Sequence, residues 1–256
     1  MYCPKCGTEN PDDAQVCRSC SWILTSTPEL QRVKKQARSV DCISKLRQWG
    51  LIFAIYTEEN NGYFFSGQGD DSGKSWTDPL RPYYRDSTLL LCPEATKPYT
   101  MGEQSPFRAW EVDNEVGSYG LNGWICNPKE GETSLWAPEP IENYWRTPKV
   151  KGANDIPVLL DAMWVNAWPR SNDLPPEWEN RREDKERFNE IRCFCVNRHE
   201  GYLNVLFMDW SVRRVGLKEL WKLKWHRNYN TNGPWTRAGG VQPSDWPPWM
   251  RNLKNY

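Results

Sequence analysis

An apolar series recurring every three or four residues from Leu30 to Tyr56, followed by short alternating apolar runs as far as Val215, predicts an α+β fold. In that fold a long N-terminal amphipathic helix packs on an antiparallel sheet. Two Cys-x-x-Cys pairs separated by ten residues at the start of the chain predict a small metal-bound ribbon ahead of the helix. The expected organisation is residues 1–24 ribbon, 25–60 helix, and 61–256 an α+β body ending in a Trp-rich tail.

The 256 residues suffice for one mid-sized domain and a small appendage. Lys plus Arg and Asp plus Glu are 33 each, so the formal net charge is zero. That balance removes the usual electrostatic argument for nucleic acid as the main partner. Mean hydropathy is −0.81, yet 16 Trp, 11 Tyr and 7 Phe give the chain enough aromatic surface to hold a core. The Trp excess reads first as core and loop packing, and second as an interaction surface. The run "GLIFAIY" falls far short of the ~18 apolar residues of a membrane helix, and no secretory leader opens the chain. As written, the chain is expected to be soluble.

In the ribbon, Cys3, Cys6, Cys17 and Cys20 supply two thiolates from each of two tight turns, the first flanked by Pro4 and Gly7. Zinc favours four such ligands at ~2.3 Å. With all four positions filled by cysteine, none stays open for substrate, so the expected Zn2+ is structural. So short a segment has too little apolar surface to fold alone, and the metal supplies the folding energy. Cys42, Cys92, Cys126, Cys193 and Cys195 are scattered through the rest. Their odd number argues against a complete disulfide framework, though Cys42 could bridge Cys92 or Cys126 in an oxidising compartment. Free buried thiols are the default expectation.

Ser26 or Thr27 can cap the helix, with Pro28 at its first position. Its apolar stripe is Leu30, Val33, Ala37, Val40, Ile43, Leu46, Trp49, Phe53 and Tyr56, with the basic residues mostly off it. Gly50 interrupts it, and Gly62 ends it by taking a positive φ. Gly67, Gly69 and Gly73 invite a phosphate-loop reading that fails on spacing. "TLLLCPEA" reads as a strand or short helix, and "GSYGLNGWICNP" as turn and strand. "DIPVLLDAMW" reads as a buried strand, residues 169–190 as an exposed insertion, and "CFCV" as a strand that turns Cys193 and Cys195 to one face. "LNVLFMDWSVRRV" reads as a hairpin, "LKELWKL" as a short closing helix, and the tail as wrapping the body through its Trp rings.

Two stretches, "QARSVDCISKLRQWGLIFAIYTEENNGYF" and "RHEGYLNVLFMDWSVRRV", carry a family resemblance, with "CPEA" and "SYGLN" between them. Over roughly residues 28–256 the chain resembles the pseudopilin-like proteins of the type II secretion and type IV pilus superfamily of planctomycete-type bacteria. Those proteins carry a C-terminal H-X9-DG motif, matched here by His199 and Asp209. The opening stretch is similar to the zinc-ribbon knuckle found at the N-terminus of many prokaryotic proteins. The resemblance implies a pilin-like fold, a role as a filament or pseudopilus subunit associating with itself or with other pseudopilins, and no catalysis. Three features depart from the pattern. No apolar span lies between Leu24 and Leu30, where relatives with a ribbon carry membrane spans. The motif's Gly is Trp210, so a left-handed Asp209 is expected to make the turn. The helix motif's Asn is Lys45.

Candidate sites in the body are few. His199 and Asp209, meeting Asp161 at a sheet edge, could hold Ca2+ or a ligand, since some pseudopilins bind calcium in a C-terminal loop. Calcium needs six to eight oxygens, and these residues supply too few. The plainer expectation is that His199 and Asp209 bond backbone groups and fix turns. A Ser118–His199–Asp triad can be drawn, but "GSYG" is not the nucleophile elbow, and the second histidine, His226, is expected to be exposed. The sequence therefore favours a structural subunit with a zinc ribbon. A soluble zinc-ribbon protein binding nucleic acid or a protein partner ranks second, and a hydrolase last.

Overall fold

Helix α1, Pro28–Glu59, realises the apolar series, and in a computed structural model of the chain it is the one α-helix among the described residues. Those are residues 1–256 except 4, 12–13, 25–27, 68–74, 102–105, 113, 130–139 and 180–188. The candidate caps Ser26 and Thr27, and Pro4, Gly69 and Gly73, lie outside them. The chain divides into two compact units, Met1–Val40 and Asp41–Tyr256.

The stripe of α1 is buried for only part of its expected length. Cys42, Leu46, Trp49, Ile52 and Phe53 are buried, at the three- and four-residue spacing of one helix face. Val33 and Val40 are exposed, and so are Leu51 and Ile55, which face away from Trp49 and Phe53. The expectation of an amphipathic stripe from Leu30 onward is therefore corrected. Helix phase explains it: at 100° per residue Val33 and Val40 fall on the side of Leu51 and Ile55, about 160–180° from Cys42 and Trp49. Asn61 and Gly62 both take positive φ, 57° and 82°, and end the helix as Gly62 predicts.

The sheet under α1 has strand order β6-β4-β5-β7-β8. Its strands are β4 (Tyr119–Asn122), β5 (Pro157–Asp161), β6 (Asn166–Ala167), β7 (Tyr202–Phe207) and β8 (Val212–Gly216). β4, β5, β7 and β8 pair antiparallel, but β6 runs parallel to β4. A second sheet joins β1 (Lys97–Pro98), parallel to β2 (Arg108–Val112), with β3 (Glu115–Gly117) antiparallel to β2. The sheets are mixed rather than purely antiparallel. A short turn after Asp161 reverses the chain and lays β6 on the far edge of β4.

One face of β4-β5-β7 meets α1. Gly50 sits at the closest approach: a Cβ there would lie 3.0 Å from Leu206 Cδ1 on β7 and 3.5 Å from the Trp210 carbonyl. The glycine costs helix propensity but lets the two elements touch. On the other face Phe194 packs near Gly120 and stacks on Trp225, ring centroids 5.0 Å apart.

Between these short elements the chain is irregular, and tryptophan fixes it. The indole N–H groups of Trp49, Trp76, Trp124, Trp145 and Trp221 donate to the carbonyls of Leu89, Val165, Pro169, Trp225 and Asp173, at 2.7–2.9 Å. Each ring buries a large area while its N–H bonds a carbonyl of the irregular chain. The Trp excess is thus loop packing first. Trp221, Trp235 and Trp246 form one cluster that carries the tail onto the body. There the buried Lys218 Nζ donates to the carbonyls of Arg251 and Leu253 and to Asn255 Oδ1.

Local readings also change. "CFCV" is not a strand: Glu190–Cys193 is a 3-10 turn, and Cys195 N donates back to Ile191 and Arg192 carbonyls, leaving no ladder for Cys193 and Cys195 to share. "LKELWKL" does form the expected short helix, of 3-10 type, Leu217–Lys222. The start of the supposed exposed insertion is packed, with Pro169, Asp173 and Pro176 buried beneath the indoles they serve; residues 180–188 lie outside the described part.

The β7–β8 turn corrects a further reading. Trp210 itself, not Asp209, takes the left-handed conformation, with φ 67°. Asp209 is exposed, and its Oδ1 accepts from Ser211 N and Oγ. The indole compensates the backbone cost: Trp210 stacks on Phe53 at 6.3 Å and meets Phe64 edge-on at 6.3 Å. A left-handed non-glycine residue costs about 1–2 kcal/mol. Two aromatic pairs with the buried ring area outweigh that. Trp210→Gly is therefore expected to destabilise the body by about 1–2 kcal/mol despite relieving the backbone, and urea denaturation measures it. A gain in stability would show that the backbone term dominates.

Candidate metal centre

The N-terminal unit is built from two matching turns. Cys3 N donates to the Thr8 carbonyl and Gly7 N to the Cys3 carbonyl; Cys17 N donates to the Trp22 carbonyl and Ser21 N to the Cys17 carbonyl. In each turn the residue after the second cysteine has positive φ, Gly7 at 72° and Ser21 at 55°. Antiparallel bridges Tyr2–Glu9 and Val16–Ile23 close the turns. The Asn10 side chain joins them, donating to the Thr8 carbonyl and accepting from Arg18 N.

The turns bring four sulfurs together. A tetrahedral ion with ~2.3 Å metal–sulfur bonds holds its sulfurs ~3.8 Å apart. Cys3 and Cys20 Sγ are 3.7 Å apart, Cys6 and Cys17 Sγ 3.6 Å, and all four lie within 4.8 Å of one another. The Thr8 hydroxyl and backbone N–H lower the Cys6 thiol to about 6, whereas desolvation and the neighbouring thiols push Cys20 up to about 12. Four thiolates this close need a divalent cation to coexist. Residues 2–21 match the zinc-ribbon domain family. No curated protein and no solved structure matched the chain. The zinc ribbon holds structural Zn2+ on Cys3, Cys6, Cys17 and Cys20.

A second set of side chains converges inside the body: Cys42 from α1, Cys92 from the loop after the 3-10 turn Ser87–Leu90, Asp161 from the end of β5, and His199 from the turn before β7. All four are buried, and one donor atom from each lies within 4.8 Å of the others. His199 Nε2 is 3.3 Å from Asp161 Oδ2 and 3.5 Å from Cys92 Sγ; Cys42 Sγ is 3.9 Å from both Asp161 oxygens. Surrounding groups fix each one. Tyr119 OH donates to Cys42 Sγ at 3.2 Å, Cys92 N to Ser118 Oγ at 2.6 Å, and Asn204 N to Asp161 Oδ2 at 3.0 Å. Lys45, in the place of the motif's Asn, donates to the Leu91 carbonyl and holds the Cys92 loop to α1.

Arg198 lies behind the set. Its guanidinium approaches Asp161 Oδ1 at 3.5 Å and donates to the carbonyls of Pro106, Arg108, Ser118 and Ala162 at 2.6–2.9 Å. Desolvation works to raise the Asp161 pKa, but His199 and Arg198 outweigh it and hold the carboxyl down at about 2. Desolvation works to lower His199, but the Asp161 carboxylate outweighs it and carries the imidazole to about 10. Burial pushes the Cys92 thiol well up.

The structure thus brings together two of the three predicted body residues. His199 and Asp161 meet at the end of the central strand β5 rather than at a sheet edge. Asp209 stays in its exposed turn, as the capping expectation had it. The calcium set is not assembled: Asp209 serves Ser211, and Asp161 has two sulfurs and an imidazole beside it rather than a shell of oxygens. Ser118 Oγ accepts from Cys92 N, while His199 Nε2 faces Cys92 and Asp161. His226 is buried rather than exposed, against Trp124 at 4.8 Å and Tyr229 at 5.4 Å. None of the nine cysteines is in a disulfide, and Cys126 packs on Gly67. The reading of separate residues missed Cys42 and Cys92 as site members. Cys42 did carry a signal, because it shares the helix face of Leu46, Trp49 and Phe53.

Proposed function

We propose that this chain is a non-catalytic structural subunit that assembles through its long helix with copies of itself or with other pseudopilins, its zinc ribbon serving as an accessory module. The supporting observation is the apolar surface that α1 leaves in water. Leu51 and Ile55, one turn apart, are 67% and 50% exposed on the side opposite the buried face, and Val33 and Val40, seven apart, are 54% and 66% exposed. Large aliphatic side chains repeated along one solvent face of a helix suit packing on a second apolar surface.

Sedimentation velocity across a wide concentration range tests the reading. The wild-type chain is expected to self-associate, and Leu51→Glu with Ile55→Glu to be monomeric with an unchanged circular dichroism spectrum. A wild-type monomer at every concentration would remove assembly with copies of itself. Tight, salt-sensitive nucleic-acid binding in a gel shift would favour a soluble zinc-ribbon binding protein instead.

A further inference from the structure

We propose that Cys42, Cys92, Asp161 and His199 form a second metal site, buried in the body, that takes zinc or a divalent ion of similar softness. The donor set is the first reason. Two thiols, an imidazole and a carboxylate are the side chains that borderline-soft divalent ions select, and four of them fill a tetrahedral shell. The distances are the second. Metal bonds of ~2.3 Å to sulfur and ~2.0–2.2 Å to nitrogen and oxygen place sulfur and nitrogen ~3.6 Å apart and nitrogen and oxygen ~3.4 Å apart. The structure has 3.5 Å for Cys92 Sγ to His199 Nε2 and 3.3 Å for His199 Nε2 to Asp161 Oδ2. Cys42 stands slightly wide, 3.9 Å from the carboxylate.

Charge is the third reason. A divalent ion with two thiolates, one carboxylate and a neutral imidazole leaves one net negative charge in a buried place. Arg198, 3.5 Å from Asp161 with its side chain fully buried, cancels it. Hydrogen bonding alone does not account for the set, because thiols are weak donors and weak acceptors. Two of them turned toward a buried Asp–His pair bring little unless a metal joins them. The outer contacts are those that orient ligands: Tyr119 on Cys42, Asn204 N and Arg198 on Asp161.

With four protein ligands and no exposed side chain, the site is structural. It ties α1 to the β5 end, the Cys92 loop and the His199 turn. These positions are far apart in sequence, 119 residues from Cys42 to Asp161 and 107 from Cys92 to His199. Cross-links over long loops remove the most chain entropy from the unfolded state.

The experiment is a zinc count on the full chain purified under reducing conditions, for the wild type and for Cys17→Ser with Cys20→Ser. The expected values are two zinc ions per wild-type chain and one per ribbon variant. The variant leaves the body untouched, so its count does not depend on how a body substitution folds. Cobalt loaded into that variant is expected to give the visible bands of a tetrahedral thiolate site, and adding Cys92→Ser to abolish them. One zinc in the wild type and none in the ribbon variant would overturn the proposal. So would peptide mapping that finds Cys42 disulfide-bonded to Cys92.

Discussion

Replacing Arg198 with Met is expected to destabilise the body by about 3–5 kcal/mol, the usual loss when one partner of a buried ion pair is removed. The Arg198 and Asp161 side chains are both fully buried and 3.5 Å apart. Removing the guanidinium takes from the buried carboxylate one of its two cationic neighbours and strips donors from four carbonyls. Those carbonyls lie beside or within β2, β4 and β5, so one side chain holds the two sheets in register with each other. Arg198→Lys is expected to rescue little, because one ammonium cannot reproduce the planar fork that reaches four acceptors. Urea denaturation followed by tryptophan fluorescence measures both variants. A loss under about 1 kcal/mol would mean that water satisfies these groups once the guanidinium is gone.

Cys17→Ser with Cys20→Ser is expected to unfold the ribbon completely while the body keeps its structure. Among the described residues of Met1–Leu24, the side chains buried below a few per cent exposure are Cys3, Cys17 and Asn10, so no apolar core remains without the metal. Zinc binding in comparable small sites contributes about 10–16 kcal/mol, and in such sites that is the folding energy. Hydrogen exchange reads the outcome. The amides of Cys3, Gly7, Cys17 and Ser21, bonded within the two turns, lose protection, while those of β5 and β7 keep theirs. Protection surviving at Cys17 and Ser21 would show that the turns stand without zinc.

The ribbon was legible from spacing alone because its chemistry is local: each ligand pair sits in one turn. The long helix, the buried strand before Asp161 and the hairpin of β7 and β8 were legible for a similar reason, since periodicity records which face is covered. What covers it is not recorded. Val33 and Val40 continue the periodic series of α1 and yet are exposed, because each three-residue step falls about 60° short of a full turn and carries the series round from the solvent side to the covered one. The 3-10 turn at Glu190–Cys193 escaped because "CFCV" has strand composition, and its backbone bonds are decided by neighbours far along the chain. The body cluster was half legible. His199 and Asp161 stood out as rare ionisable groups beside apolar runs, whereas Cys42 and Cys92 looked like ordinary buried thiols. Only the tertiary fold brings Cys42 to Asp161, 119 residues later. Trp210 shows the opposite error: the turn was placed, but the residue carrying the positive φ was misassigned, because the sequence does not reveal the aromatic stacking that compensates it.

The tail bears on how the protein is made. Lys218 is buried, and its ammonium is satisfied by groups at Arg251, Leu253 and Asn255, while Tyr256 covers Gly216 at the end of β8. Synthesis proceeds from the N-terminus at about 5–20 residues per second. The ribbon can therefore close on its zinc as soon as residues 2–24 emerge. In the body, the buried Lys218 ammonium must wait for residues 251–255 before it has these acceptors. During that interval the end of β8 at Gly216 lacks the Tyr256 ring that covers it in the folded chain.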